Sequence, residues 1–595
     1  MTPKQHSFHI PVMGIGFTID SPLKVAHYGI DSTISLVDDV LIEKMRKHYC
    51  EKYNLIYTEI SEKIDDFRAK RITSYLDLMN TLIDSKVEQL KNTSIETIEE
   101  LKSYFNIIRS KKEEFLKKLS STNCFGDIKD WLQKNIHKGS IDVNIMTKVD
   151  KDNYKDNVQL PTIYNDAHAA LRGFAESNVN GSLILSAGMN PRLYGYIESF
   201  KDFYPENNTL KKKVVLKVSD YRSALIQGKF LVKKGIWVSE FRVESGLNCG
   251  GHAFATEGYL LGPILETFKN NKEVLTSELH EIYKKALNTK EIQAPASPLP
   301  IKITAQGGVG THQEHEFLLN YYKLDSVGWG SPFLLVPEAT TVDNATLKKL
   351  VNATEKDLYL SNISPLGVPF NNLRGNTKDI EKDKLIQKGR PGSSCPKKYV
   401  SLNKEFTEKS ICTASRQYQH LKINELKQKE LTSEEYLKAY NRIIEKSCIC
   451  VGLGTSALLA NNLPTKQEGK GVSICPGPNM AYFSQILKLE EMAQHIYGET
   501  NVTSRQDRLN MFIKELNLYI DYLKKEIENL PKVLDKKQEK YIKNFTNNLL
   551  EGINYYTSIF KNSSDFINSK KELLIAELNF AKINLEKVQQ KIVLE

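Results

Sequence analysis

The chain has 595 residues, a net charge of +10, 40% hydrophobic and 26% charged residues. These values suit a soluble globular protein with room for two to four domains and a large core. The lysines are interleaved with acids along helical stretches, which describes solvated helix faces and argues against a nucleic-acid groove. No apolar run reaches the roughly 18 residues that span a bilayer, and the opening MTPKQHSFHIPVMGIGF lacks an apolar signal core. A cytoplasmic location is therefore expected, and eight cysteines there do not form a disulfide framework.

In chain order, 10–17 (IPVMGIGF) reads as a buried strand ending in glycine, with Ser21-Pro22 opening a short helix. Residues 29–37 read as a second strand and 38–52 as a helix. From 58 to 135 the pattern is Lys/Glu-rich and helical, with no glycine before Gly126. Strand-like runs resume at 182–187, 213–218 and 235–240, then at 301–306 and 325–327. Strands alternating with helices imply an α/β fold with a parallel sheet.

Residues 1–57 and 181–375 together match the roughly 250 residues of a (β/α)8 TIM barrel. Seven strands are placed, and the pattern identifies no eighth. On this division 58–180 is a helical insertion on the upper rim, 376–485 a Cys-containing domain, and 486–595 a C-terminal helical region. The last packs on the barrel or on a second subunit, so a homo-oligomer through the helical regions is one expectation.

Two strand-to-glycine turns stand out in 301–340. The first strand runs into Gly307-Gly308, and the second ends in Gly328-Trp329-Gly330-Ser331. Glycines let backbone amides approach an anion at the C-terminal end of parallel strands, the place of a phosphate clamp. Upstream, the strand from 235 leads to Gly246-Leu247-Asn248-Cys249-Gly250-Gly251-His252. A histidine there can move a proton near neutral pH, or it can simply cap a turn.

Four segments resemble the nitronate monooxygenase (2-nitropropane dioxygenase-like) family of FMN-dependent TIM-barrel oxidoreductases: IPVMGIGFTIDSPLKVAHYGI, CGGHAF, ITAQGGVGT and VGWGSPFLLVPE. The resemblance covers the barrel and leaves out 58–180 and 376–595. It implies that Met13 and Gly14 lie beside the isoalloxazine ring, with Gly251 near the flavin. It places the phosphate on Gly307, Gly308, Gly330 and Ser331, and makes His252 the catalytic acid or base. Lys217, on VVLKV, would bring positive charge toward the reduced ring.

Two positions depart from the family's pattern. Asn248-Cys249 stands where Ala or Glu is usual, and Ser331-Pro332 replaces Thr-Arg, removing an arginine–phosphate contact. The expected substrate is a nitronate or an acyl thioester, small or carrier-bound. Rival readings are a nucleotide-binding barrel dehydrogenase with Cys249 as nucleophile, and a non-catalytic scaffold.

Cys395, Cys412, Cys448, Cys450 and Cys475 fall in one segment. Cys448 and Cys450, read as extended, would point to one face. Four thiolates from the five would hold a [4Fe–4S] cluster or a structural zinc; small buried hydrophobes that happen to cluster are the alternative. A subset of the resembled family, the flavoenzymes of unsaturated fatty-acid synthesis, carries an iron–sulfur cluster beside FMN.

Overall fold

The computed structural model describes residues 5–92, 98–121, 125–186, 188–249, 257–505, 507–530, 534–562 and 571–594. Eight parallel strands form a closed barrel: β1 (Phe8–Ile10), β2 (Asp31–Ser35), β3 (Ile141–Met146), β4 (Ser182–Ser186), β5 (Lys213–Val218), β6 (Val238–Glu244), β7 (Lys302–Gln306) and β8 (Ser326–Gly328). Neighbours in sequence are neighbours in the barrel, and β1 closes it on β8 through Phe8↔Val327 and His9↔Gly328. Helices follow the strands, among them α1 (Asp39–Lys52) after β2, α3 (Asp166–Ala175) after β3, α4 (Tyr221–Lys233) after β5, α5 (Leu261–Thr289) after β6 and α6 (His312–Asn320) after β7. Helix α2 (Phe67–Lys91) packs outside, against α1 and α3.

The strands obey the period-two rule. Val143, Ile145, Leu183, Leu185, Val214, Leu216, Phe241 and Val243 are buried on one side, while Asn144, Met146, Ser186, Lys217 and Glu244 line the cavity at the barrel mouth. Deeper in, Arg242 is held by Glu240 (Nη2–Oε1 2.8 Å), which also accepts from Thr304 Oγ1 at 2.6 Å.

The strand order corrects the domain reading. The eighth strand is β3, paired between β2 and β4 inside the segment read as an insertion. Its sequence, IDVNIM, alternates apolar residues with Asp142 and Asn144 and follows closely on a long helical stretch. The added helices run only from α2 to the helix Phe125–Asn135. The opening strand also differs: β1 ends at Ile10, and Gly14 turns the chain at φ +80°.

After the barrel come α7 (Arg416–Leu426), α8 (Ser433–Ile444) and α9 (Ile449–Ala460). Helix α9 (ICVGLGTSALLA) lies on the β1 turn, where Gly16 N donates to Leu453 O at 2.9 Å. A Cβ on Gly16 would stand 3.0 Å from two backbone oxygens of α9, so glycine permits that approach. The C-terminal helices are α10 (Met511–Glu528), α11 (Lys536–Asn562) and α12 (Lys571–Leu594). Both α10 and α11 dock on glycines around the β6 exit: Tyr519 on Gly246, Phe545 on Gly258 and Tyr556 on Gly262. Among the described residues no single helix is long and apolar enough to cross a membrane.

Candidate active site

The two glycine turns lie side by side, because β7 and β8 are paired up to Gln306↔Gly328. Gly307 (φ +107°) and Gly308 (φ +88°) occupy the left-handed region. A Cβ on Gly307 would meet the Asn248 backbone nitrogen at 2.9 Å, and one on Gly308 would meet Leu247 Cδ1 at 2.6 Å. At Gly330 the neighbours would be Cys249 Cβ at 3.1 Å and Met13 Sδ at 3.8 Å. The corner is thus walled by 247–249 from the β6 exit and by Met13 from the β1 turn, with glycine at each point of closest approach.

Residues from far along the chain cover it. Gly477 N donates to Ser331 Oγ (2.8 Å), and Asn479 Nδ2 donates to Gly308 O (2.6 Å) and Val309 O (2.7 Å). Arg508 donates to Gly308 O (2.7 Å) and pairs with Glu314 (2.7 Å), which also accepts from Gly310 N (2.9 Å). Sequence reading missed Arg508. It is brought to the corner from 200 residues away, its guanidinium committed to Asn479 Oδ1, Glu314 and Gly308 O. No local motif announces it.

Beside this corner lies an apolar cavity lined by Val12, Gly14, Ile15, Met146, Phe370 and Leu453. Lys217 enters it already paired with Glu244 at 2.7 Å. Glu244 also accepts from Asn248 Nδ2 (2.6 Å) and Gln306 Nε2 (2.8 Å). An apolar lining with one ion pair suits a flat ring in chemistry, whereas the glycine turns beside it are already closed on Leu247, Asn248, Cys249 and Gly477. The free volume is only 70 Å³, below the roughly 300–1,000 Å³ of ligand sites, so a ring enters only as side chains such as Phe370 and Leu453 yield.

Gly251 and His252 lie outside the described residues. The chain on either side is tied to the C-terminal helices. Gly246 N donates to Tyr519 Oη (3.2 Å), Leu261 N to Glu515 Oε2 (2.9 Å) and Gly262 N to Tyr556 Oη (2.9 Å). Burial pushes the Glu515 carboxyl up to about 7, opposed chiefly by donation from Leu261 N. Cys249 is buried, and desolvation pushes its thiol up to about 11. Its Sγ donates to Cys475 O at 3.1 Å. A buried thiol raised in this way argues against Cys249 as a nucleophile near pH 7.

Four of the five cysteines come together. Cys395 is within hydrogen-bonding reach of Cys412 and Cys448, and Cys448 of Cys450. Cys448 stands at the N-cap of α9, outside the helix, and Cys450 lies in its first turn, so the two are not on one extended segment as read. The apolar, glycine-containing sequence that follows is buried as a helix on the barrel mouth. Cys475 lines the cavity beside Cys450. Among the described residues no group of three or more His, Cys, Asp or Glu side chains is arranged to hold a metal ion, so the metal expectation finds no support here.

No family model and no curated protein matches the chain. It is similar to solved structures at low identity. With the enoyl reductase domain of MlnA from the macrolactin biosynthesis cluster of Bacillus amyloliquefaciens it shares 17% identity, over 68% of this chain and 86% of that one, at a TM-score of 0.32. With FabK from Thermotoga maritima the identity is 12%, over 83% and 94%, at 0.33. With nitroalkane oxidase from Streptomyces ansochromogenes it is 10%, over 83% and 95%, also at 0.33. The TM-barrel assignment does not lean on these likenesses; the closed strand order carries it: the chain is a (β/α)8 barrel extended by helices.

Proposed function

We propose that the protein is an FMN-dependent oxidoreductase of the nitronate monooxygenase-like type. The observation that carries the reading is the pair of adjacent glycine turns at the carboxyl ends of β7 and β8, beside an apolar cavity in the barrel mouth. Gly307, Gly308, Gly330 and Ser331 would hold the terminal phosphate, and Met13 and Gly14 would flank the ring. Bound FMN supplies two-electron redox chemistry.

The chain's own residues do the rest. His252 moves a proton through a ring nitrogen, which suits it to work near neutral pH. Lys217, positioned by Glu244, sets the charge at the cavity wall. The apolar side chains exclude water. They favour the acyl part of an acyl thioester over a small nitronate, since aliphatic lining rewards apolar area. Burial of Cys249 and its raised thiol favour this reading over one with a cysteine nucleophile.

The test is the purified protein's spectrum and its flavin content after denaturation. One FMN per chain, lost in Gly307→Val and bleached anaerobically by an acyl thioester or nitronate only when His252 is present, supports the reading. A colourless protein that does not take up added FMN sinks it.

A further inference from the structure

The segment after the barrel carries a second recess, unrelated to the glycine corner. It is an open groove of 1410 Å³ between the loop 389–401, the loop 407–412 and helices α7 and α8. Arg390, Lys398, Lys409, Arg416 and Lys427 line it, and no Asp or Glu does. Nearby acids are already committed: Glu405 and Glu425 to Lys422 at 2.6 and 2.9 Å, and Glu425 also to Lys429 at 2.8 Å. Among the described residues no carboxylate pairs with Arg390, Lys398, Arg416 or Lys427. Lys409 donates to the neutral Asn157 Oδ1 at 2.7 Å.

One of these cations is built in rigidly. Arg416 opens α7, its amide donates to Ser393 O at 2.8 Å, and Ser415 caps the helix through Tyr418 N. A Cβ on Gly392 would stand 2.6 Å from Arg416 Cα, so the two backbones are locked together. The guanidinium Nε is nevertheless buried without a hydrogen-bond partner. An unmet buried donor on a fixed arginine, among like charges that repel, calls for an anion.

We infer that this groove binds a nucleotide carrying two or more phosphates. The cations and the serine hydroxyls of Ser393, Ser394 and Ser415 suit the phosphates. On the α8 rim, Tyr436 and Tyr440 stack at 6.1 Å and 16°, a flat platform for a base. The volume exceeds the roughly 300–1,000 Å³ of ordinary ligand pockets, which accommodates base, ribose and phosphates together. A concave, cation-lined recess of this kind fits a small polyanion better than the flat face of an acidic protein. The same adenosine phosphate chemistry occurs in nicotinamide dinucleotides and in coenzyme A, and the two differ in where the ribose phosphate sits.

The inference stands apart from the flavin reading, because groove and glycine corner share no residue. The experiment is calorimetric titration of the full-length protein with 2′,5′-ADP, 3′,5′-ADP and poly-glutamate at low salt. The flavin band near about 450 nm is monitored in the same samples. Saturable one-site binding of a bisphosphate is expected, at least tenfold weaker in Arg390→Glu/Lys427→Glu, with flavin content unchanged. Preference for 2′,5′-ADP points to a dinucleotide, and preference for 3′,5′-ADP to coenzyme A. Arg416→Gln tests the buried donor. Should it fail to fold, the two exposed positions keep the test intact. Lys466→Glu, outside the groove, is the control. Absence of saturable nucleotide binding overturns the inference, as does equal binding in the groove variants, an equal loss in the control, or binding of poly-glutamate alone.

Discussion

At the scale of single residues, the site is a matter of which atoms can give way. Gly307 and Gly308 both have φ in the left-handed region, where an L side chain costs roughly 1–2 kcal/mol. They differ in what a methyl group would strike: the Asn248 backbone at Gly307, but the free end of Leu247 at Gly308. Gly307→Ala should therefore weaken FMN binding by at least about tenfold, roughly 1.4 kcal/mol, and Gly308→Ala by clearly less; fluorescence titration of the apoprotein measures both. Equal effects would mean that the wall at 248 moves freely. Lys217 and Glu244 are 6% and 15% exposed in their side chains. Lys217→Met should lower the unfolding free energy read from urea titration by less than the roughly 3–5 kcal/mol of an uncompensated buried charge, because Asn248 and Gln306 still donate to Glu244. Adding Glu244→Gln should recover part of the loss. Cys249, held neutral, should resist iodoacetamide at pH 7.5 and react only as the pH approaches its raised value of about 11; peptide mass mapping reads this directly.

Among the elements, the joint between α10 and the start of α5 decides how the β6 exit is held. Glu515 accepts from Leu261 N at the head of α5, where partial positive charge suits a carboxylate, yet full burial outweighs this. Its folded value of about 7 lies above the ordinary 4.5. A raised carboxyl contributes stability that is whole below the unfolded value and is lost as pH climbs through the folded one. Stability should fall from pH 4.5 to 7 on this account. Glu515→Gln should remove that slope and leave the protein more stable than wild type at pH 8, on the order of 3 kcal/mol. Denaturant midpoints at pH 5 and pH 8 check it, and parallel pH curves for the two proteins would refute it.

For the whole molecule, the C-terminal helices are part of the barrel's upper face. Tyr519, Phe545 and Tyr556 press on Gly246, Gly258 and Gly262, and Arg508 completes the glycine corner. A chain ending at residue 505 loses all four. It should expose those glycine surfaces, bind no flavin and be cleaved rapidly in limited proteolysis. A truncated chain that stays protease-resistant and yellow would show the helical region to be an independent appendage.

Much of this was readable in one dimension, since six strands and both glycine turns depend on local chemistry: β-favouring runs, backbone freedom and strand-to-helix order. The opening strand lies earlier than read, at Phe8–Ile10 instead of 10–17. The strand Ile141–Met146 escaped because it is six residues long and follows closely on the long helices of 67–135, whose pattern set the reading of the whole segment. The Cys448–Cys450 segment was misread because α9 starts between the two cysteines with no side-chain cap to announce it, and its apolar residues are buried on every side. Arg508, Glu515 and Asn479 act on backbone atoms 170 to 254 residues away, contacts no spacing rule can encode. The sequence by itself determined an α/β barrel and where its glycine turns lie, because those follow from short-range geometry. Only the tertiary structure decided which distant charges and rings enclose them, because that depends on how the later helices pack on the barrel's open end.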